Sequence, residues 1–154
     1  MNAEELKERT KQFALRVMRL VDSMPTSLKA RTIANQLVRS GTSVAANYRA
    51  ACRSRSRAEF VSKNGLVEEE ADETALWLEL IIADRILPEK KVASLLTETN
   101  ELVKIMAASE ISARSNGSAP RGRSSKSAIR NQKYKYEQPH PDSPRRRHES
   151  FPDR

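Results

Sequence analysis

The chain has 154 residues with 28 lysines and arginines against 20 aspartates and glutamates, a formal net charge of +8. Its single cysteine excludes an internal disulfide and any cysteine-based zinc cluster. The most apolar run, ALWLELIIADRIL at residues 75–87, is broken by Glu79, Asp84 and Arg85, and the N-terminus has no apolar signal core, so neither a membrane span nor secretion is expected and the reducing cytoplasm is the natural compartment.

Hydrophobic periodicity predicts four helices. In the first, over about residues 4–23, Leu6, Phe13, Val17, Leu20, Val21 and Met24 recur at helical spacing, and Glu4 and Glu5 sit where the macrodipole favours acids. Pro25 marks its end. The second, over residues 27–53, places Ile33, Leu37, Gly41, Val44, Tyr48 and Ala51 on one narrow arc. A glycine inside a helix costs about 1 kcal/mol, so Gly41 predicts a close helix crossing on that face. Ser56 followed by Glu59 forms a capping-box pattern at the start of a third helix, whose inner stripe is Phe60, Val67, Ala71, Leu78 and Ile82. Pro88 opens a fourth, carrying Val92, Leu95, Leu96, Leu102, Val103 and Met106.

Short connections and absent strand signals argue for an all-α, antiparallel four-helix bundle over residues 4–112. Residues 113–154 offer only Ile129, Tyr134, Tyr136 and Phe151 among proline, serine, glycine and basic residues. So little apolar surface cannot offset ordering entropy, and a disordered basic tail is expected. The third helix also carries Leu66 and Trp77 on a second side and Leu76 and Leu80 on a third. That surplus predicts contact with another subunit, the alternative being that Trp77 covers the bundle's end.

Charge is unevenly distributed along the chain. Residues 23–58 hold seven bases and no acid, residues 59–112 five bases and twelve acids, and residues 113–154 eleven bases and four acids. Both histidines fall in the tail, so the domain has no imidazole for proton transfer or metal binding. Glu69 and Glu73 stand one turn apart but opposite the apolar stripe, unlike the inward glutamates of di-metal bundles. No enzyme, cofactor or metal is expected.

Two files of polar residues on the second helix suggest two roles. Gln36, Arg39, Ser43 and Asn47 flank the apolar stripe, as suits a hydrogen-bonded helix or subunit interface, with Glu73 and Trp77 of the third helix as counterparts. Arg31, Arg49 and Arg53 lie on the outer side, and Arg49 and Arg53, with Arg55 and Arg57 in the following turn, form a cluster suited to phosphates. A rival reading pairs these arginines with the acidic third helix inside an oligomer. The tail has tyrosines for stacking and no acidic block, which suits salt-dependent binding to RNA or DNA.

The stretch QLVRSGTSVAANYRAACRSRSRAEFVSKNGLVEEEADETALWLEL, residues 36–80, resembles the small bacterial four-helix bundle proteins that include those encoded in intervening sequences of large-subunit ribosomal RNA and the accessory variability proteins of diversity-generating retroelements. The markers are Gln36, Arg39, Ser43, Ala46 and Asn47, then Arg53, Ser56, Glu59 and Phe60, then Ala71, Glu73, Thr74, Trp77 and Leu78. The resemblance implies a barrel-like homopentamer and, for the retroelement branch, a basic surface that contacts a reverse transcriptase and nucleic acid. Many members read Asn-Ile-Ala-Glu-Gly after the serine, whereas here Asn47 is followed by YRAA. The resulting expectation is a non-enzymatic, oligomeric nucleic-acid-binding bundle, with a scaffold that docks a reverse transcriptase or other partner as the alternative.

Overall fold

The computed structural model describes residues 1–115. Within them the chain is all-α, with α1 Ala3–Asp22, α2 Leu28–Ala51, α3 Arg57–Ala83 and α4 Glu89–Ser115. The last helix runs three residues beyond the expected domain edge at 112, and the rest of the predicted tail lies outside the described residues.

Local chemistry sets the helix starts. Asn2 Oδ1 accepts from the Glu5 amide and the Glu5 carboxylate accepts from the Asn2 amide, each at 2.9 Å, a reciprocal cap on α1 that sequence analysis does not anticipate. Ser27 Oγ accepts from the Ala30 amide at 3.3 Å to cap α2. Ser56 Oγ accepts from the Glu59 amide at 3.1 Å, as the spacing predicts. The return half differs. Glu59 accepts from the amide of Arg55 at 2.8 Å instead of that of Ser56, and so pins the turn between α2 and α3.

Cross-helix contacts fix an antiparallel order. Arg39 of α2 meets Glu73 of α3 while Lys29 meets Asp84. Arg9 of α1 meets Glu98 of α4 at 2.7 Å while Arg16 meets Ser94 at 3.3 Å. In both seams the residue number rises along one helix as it falls along the other. Between α1 and α2, Val17 meets Gly41 while Lys7 and Lys11 lie beside Arg49 and Arg53, so this pair is antiparallel too and the bundle runs up, down, up, down.

The core contains Phe13, Val17, Leu37, Val44, Val67, Leu78, Val92, Leu102 and Met106, all buried. On α2 the predicted stripe is buried from Leu37 through Ala51, with Ile33 half-buried at its start. Gly41 is where α1 crosses. A Cβ added there would stand 2.8 Å from both methyls of Val17, well inside the 3.5–4.0 Å of an ordinary carbon contact. On α3 the stripe ends differently from expectation, because Ile81 is fully buried and Ile82 only partly. Five polar side chains are also buried in the core, Thr10, Ser40, Asn64, Thr74 and Thr99; of these, Asn64 Nδ2 donates to the Met106 carbonyl at 2.9 Å, and Thr74 Oγ1 bonds Ser40 Oγ at 2.9 Å.

Candidate nucleic-acid interface

The cations of α2 have two fates. Lys29 pairs with Asp84, and Arg39 pairs with Glu73 and lies 3.6 Å from Glu70. Arg39 Nε also donates to Gln36 Oε1 at 3.1 Å, and Trp77 Nε1 donates to Glu73 Oε1 at 3.0 Å. Gln36, Arg39, Glu73 and Trp77 thus form one chain of hydrogen bonds across the α2–α3 seam of a single protomer. Ser43 and Asn47 continue the file, half-buried, without side-chain hydrogen bonds among the described residues.

Two neighbouring carboxyls in this seam respond oppositely to their surroundings. Hydrogen bonds from Arg39 and then from Trp77 hold the Glu73 carboxyl below the usual glutamate range. Burial pushes the Glu70 carboxyl up, and this outweighs the nearby Arg39 charge. One oxygen of Glu70 is buried without a partner, which is why desolvation wins there.

The C-terminal cations of α2 are not paired in this way. Arg49, Arg53, Arg55 and Arg57 are all exposed, and none has a carboxylate within 4.0 Å among the described residues. Arg49 lies in the last turn of α2 and Arg57 in the first turn of α3. The Ser56 cap and the Glu59-to-Arg55 bond fix the backbone between them. Four guanidiniums therefore share one end of the bundle.

That end holds more cations than sequence reasoning finds. Lys7 and Lys11 of α1 line a shallow depression with Arg49 and Arg53, together with Glu4 and Glu8. The lysines are engaged within α1, Lys7 with Glu4 at 2.6 Å and Lys11 with Glu8 at 3.3 Å. Only the antiparallel hairpin, not the spacing of the lysines, brings them beside the arginines.

The outer side of α3 is mixed. Glu69 is exposed, Glu68 half-buried and Asp72 exposed, along a groove against α4. Among the described residues no three histidine, cysteine, aspartate or glutamate side chains converge to hold a metal ion. Leu66, Leu76 and Leu80 are 48%, 49% and 39% exposed, which leaves α3 with apolar surface its own bundle does not cover. Trp77 is half-buried and packs on the core. Cys52 is half-buried beside Tyr48, whose phenol burial pushes up out of the ordinary range. No helix among the described residues is long and apolar enough to cross a membrane.

The sequence pattern of the family described as 23S rRNA-intervening sequence protein matches residues 4–108. A solved structure of a protein of unknown function from the S23 ribosomal protein family of Bacteroides thetaiotaomicron is similar, with 31% sequence identity and a TM-score of 0.67, covering 72% of this chain and 99% of that one. No curated protein matches the chain.

Proposed function

The chain belongs to the 23S rRNA-intervening sequence protein family, and from that premise we propose that its bundle is a non-enzymatic, oligomeric module that binds nucleic acid, RNA in the first place. Arg49, Arg53, Arg55 and Arg57 contact the phosphates. The observation that carries the reading is that they cluster at one end of the bundle without acidic partners, whereas of the other α2 cations Lys29 and Arg39 are paired and the unpaired Arg31 stands alone at the far end of the helix. Clustered cations left unneutralised by the fold are what counterion release on a polyanion requires. The module acts in the cytoplasm.

Oligomerisation in this proposal covers Leu66, Leu76 and Leu80. A homopentamer is the form the family resemblance implies, and the leucines support an assembly without fixing its number. The same exposed leucines favour a second reading, in which the bundle is a scaffold that docks a reverse transcriptase or another protein and makes no nucleic-acid contact itself. A pull-down with and without nuclease separates the two, because a scaffold keeps its partner after digestion.

The direct test replaces all four arginines by alanine in the full chain, freed of contaminating polynucleotide. Each phosphate contact to a single strand contributes about 0.7 to the salt slope, so four contacts flatten it by about 3 and weaken binding several hundredfold near 0.1 M salt. Helicity and assembly stay as in the parent. A variant that falls apart into smaller species yet binds RNA with unchanged slope makes the cluster an assembly element and overturns the proposal.

A further inference from the structure

At the opposite end of α1, three more cations meet without an acid. Arg16 and Arg19 of α1 and Lys91 of α4 line a concave groove between the two helices, with Ser23, Ser94 and the apolar edge of Leu20 and Leu95. Arg16 Nη2 donates to Ser94 Oγ at 3.3 Å. None of the three cations has a carboxylate within 4.0 Å among the described residues. The same seam is built differently nearer the other end. There Arg9 is held by Glu98 at 2.7 Å and by Glu101 at 2.6 Å, and Glu98 keeps the Arg9 guanidinium firmly protonated.

The contrast matters because the fold shows what it does with an arginine meant for packing. Arg9 receives two carboxylates, whereas Arg16 and Arg19 receive a serine hydroxyl and another cation. Like charges gathered in one groove repel each other, and the repulsion eases only when an anion enters. The groove offers a planar guanidinium fork, a mobile ammonium and hydroxyls, the donor set that suits phosphate oxygens.

We propose that the α1–α4 groove of Arg16, Arg19 and Lys91 is a second phosphodiester-binding site. A single RNA strand then engages the bundle at both of its ends. This rests on the nucleic-acid reading above and extends it to residues outside the arginine cluster. Ten or so residues of α1, at 1.5 Å each, separate the level of Arg16 and Arg19 from that of Lys7, beside Arg49 and Arg53, so a strand must extend about 15 Å to touch both.

The test is titration of a fluorescent 20-nucleotide uridine RNA with the full chain over a range of salt. Replacing Arg16, Arg19 and Lys91 together by alanine lowers the salt slope by about 2 and weakens binding about a hundredfold near 0.1 M salt. A control in which Arg31, Lys90 and Lys104 are replaced instead removes the same charge outside the groove and has a distinctly smaller effect. Arg16→Lys with Arg19→Lys, which keeps the charge but not the guanidinium fork, keeps the salt slope of the parent. The groove is refuted if its triple variant binds like the parent while the variant lacking the four arginines does not, and that result leaves the first reading standing. It is also refuted if the control loses as much as the groove variant, or if the lysine pair flattens the salt slope as far as the alanine variant does with helicity intact. Failure of the parent itself to bind RNA in dilute buffer removes both proposals together.

Discussion

Replacing Gly41 by alanine reverses the usual sign of that substitution. In an unobstructed helix interior alanine is favoured over glycine by about 1 kcal/mol. Here the new Cβ stands 2.8 Å from each methyl of Val17 and 3.1 Å from its Cβ. Both positions are buried, so relief requires α1 to move outward by about 1 Å, against contacts that are normally 3.5–4.0 Å. Overpacking of this kind costs about 1–3 kcal/mol, and the net change is a destabilisation of about 0–2 kcal/mol. Urea unfolding followed by circular dichroism at fixed protein concentration reads it as a lower midpoint with an unchanged slope. The decisive arm is the double variant. Val17→Ala removes the two offending methyls and leaves only the 3.1 Å contact, which a shift of a few tenths of an ångström relieves. On that background Gly41→Ala is neutral or stabilising, giving a coupling of about 1–3 kcal/mol between the two sites. If Gly41→Ala stabilises the parent by the full propensity gain, α1 does not cross α2 at this point, and the juxtaposition of Lys7 and Lys11 with Arg49 and Arg53 loses its support.

Two further outcomes follow from the seams and caps. Glu73 has its carboxyl lowered by Arg39 and Trp77, so its stabilisation is fully present above the ordinary glutamate value of about 4.3 and is lost as pH falls through its folded value. The stability gap between parent and Glu73→Gln therefore narrows on acidification below about pH 4, whereas for Glu70, raised by burial, protonation favours the fold and Glu70→Gln gains its advantage as pH rises through the folded value. Denaturant midpoints measured from pH 3 to 7 check both, and parallel trends for the two variants contradict the assignment. Ser56→Ala removes the α3 cap, lowers stability by about 1 kcal/mol, and speeds amide exchange in the first turn of α3; a change confined to another helix counts against the cap.

Much of the bundle is legible in the sequence because the apolar period is strong where one face alone is buried. The α2 stripe, Gly41 included, is the clearest case, and the Ser56 start of α3 is another. The phase of α3 is harder to read, since Leu66, Leu76, Leu80 and Ile82 put apolar residues on several sides and the register between Ile81 and Ile82 is left to packing. Asn64 and Thr74 are not part of the apolar stripe that the sequence predicts for α3, yet both are buried, and their partners, the Met106 carbonyl and Ser40, come from other helices. The Asn2 cap is written in the spacing Asn2 to Glu5, the same four-residue pattern recognised at Ser56, so that signal was available. In the candidate site, the outward placement of Arg49 and Arg53 follows from the helical wheel. The company of Lys7 and Lys11 does not, because it depends on the hairpin.

Charge segregation along the sequence is resolved by the fold into two kinds of cation. Antiparallel packing of α2 on α3 brings the N-terminal and middle parts of the basic helix onto the C-terminal half of the acidic one, so Lys29 and Arg39 find Asp84, Glu70 and Glu73. The same geometry sends the C-terminal end of α2 to the start of α3, where the sequence supplies Arg55 and Arg57 and where Glu59 is occupied by Lys63 and the Arg55 amide. The arginines there cannot be neutralised from within the hairpin, because the acids of α3 begin in earnest only at Glu68, about two and a half turns farther along the helix. A near-neutral bundle thus keeps four arginines without acidic partners at one end, where Glu4 and Glu8 are already engaged by Lys7 and Lys11, as a consequence of the order in which its charges are written. Reversing that order, by exchanging Arg39 with an acid while leaving the four arginines in place, would disturb the seam without touching the cluster, so stability and polyanion affinity should respond to separate sets of substitutions.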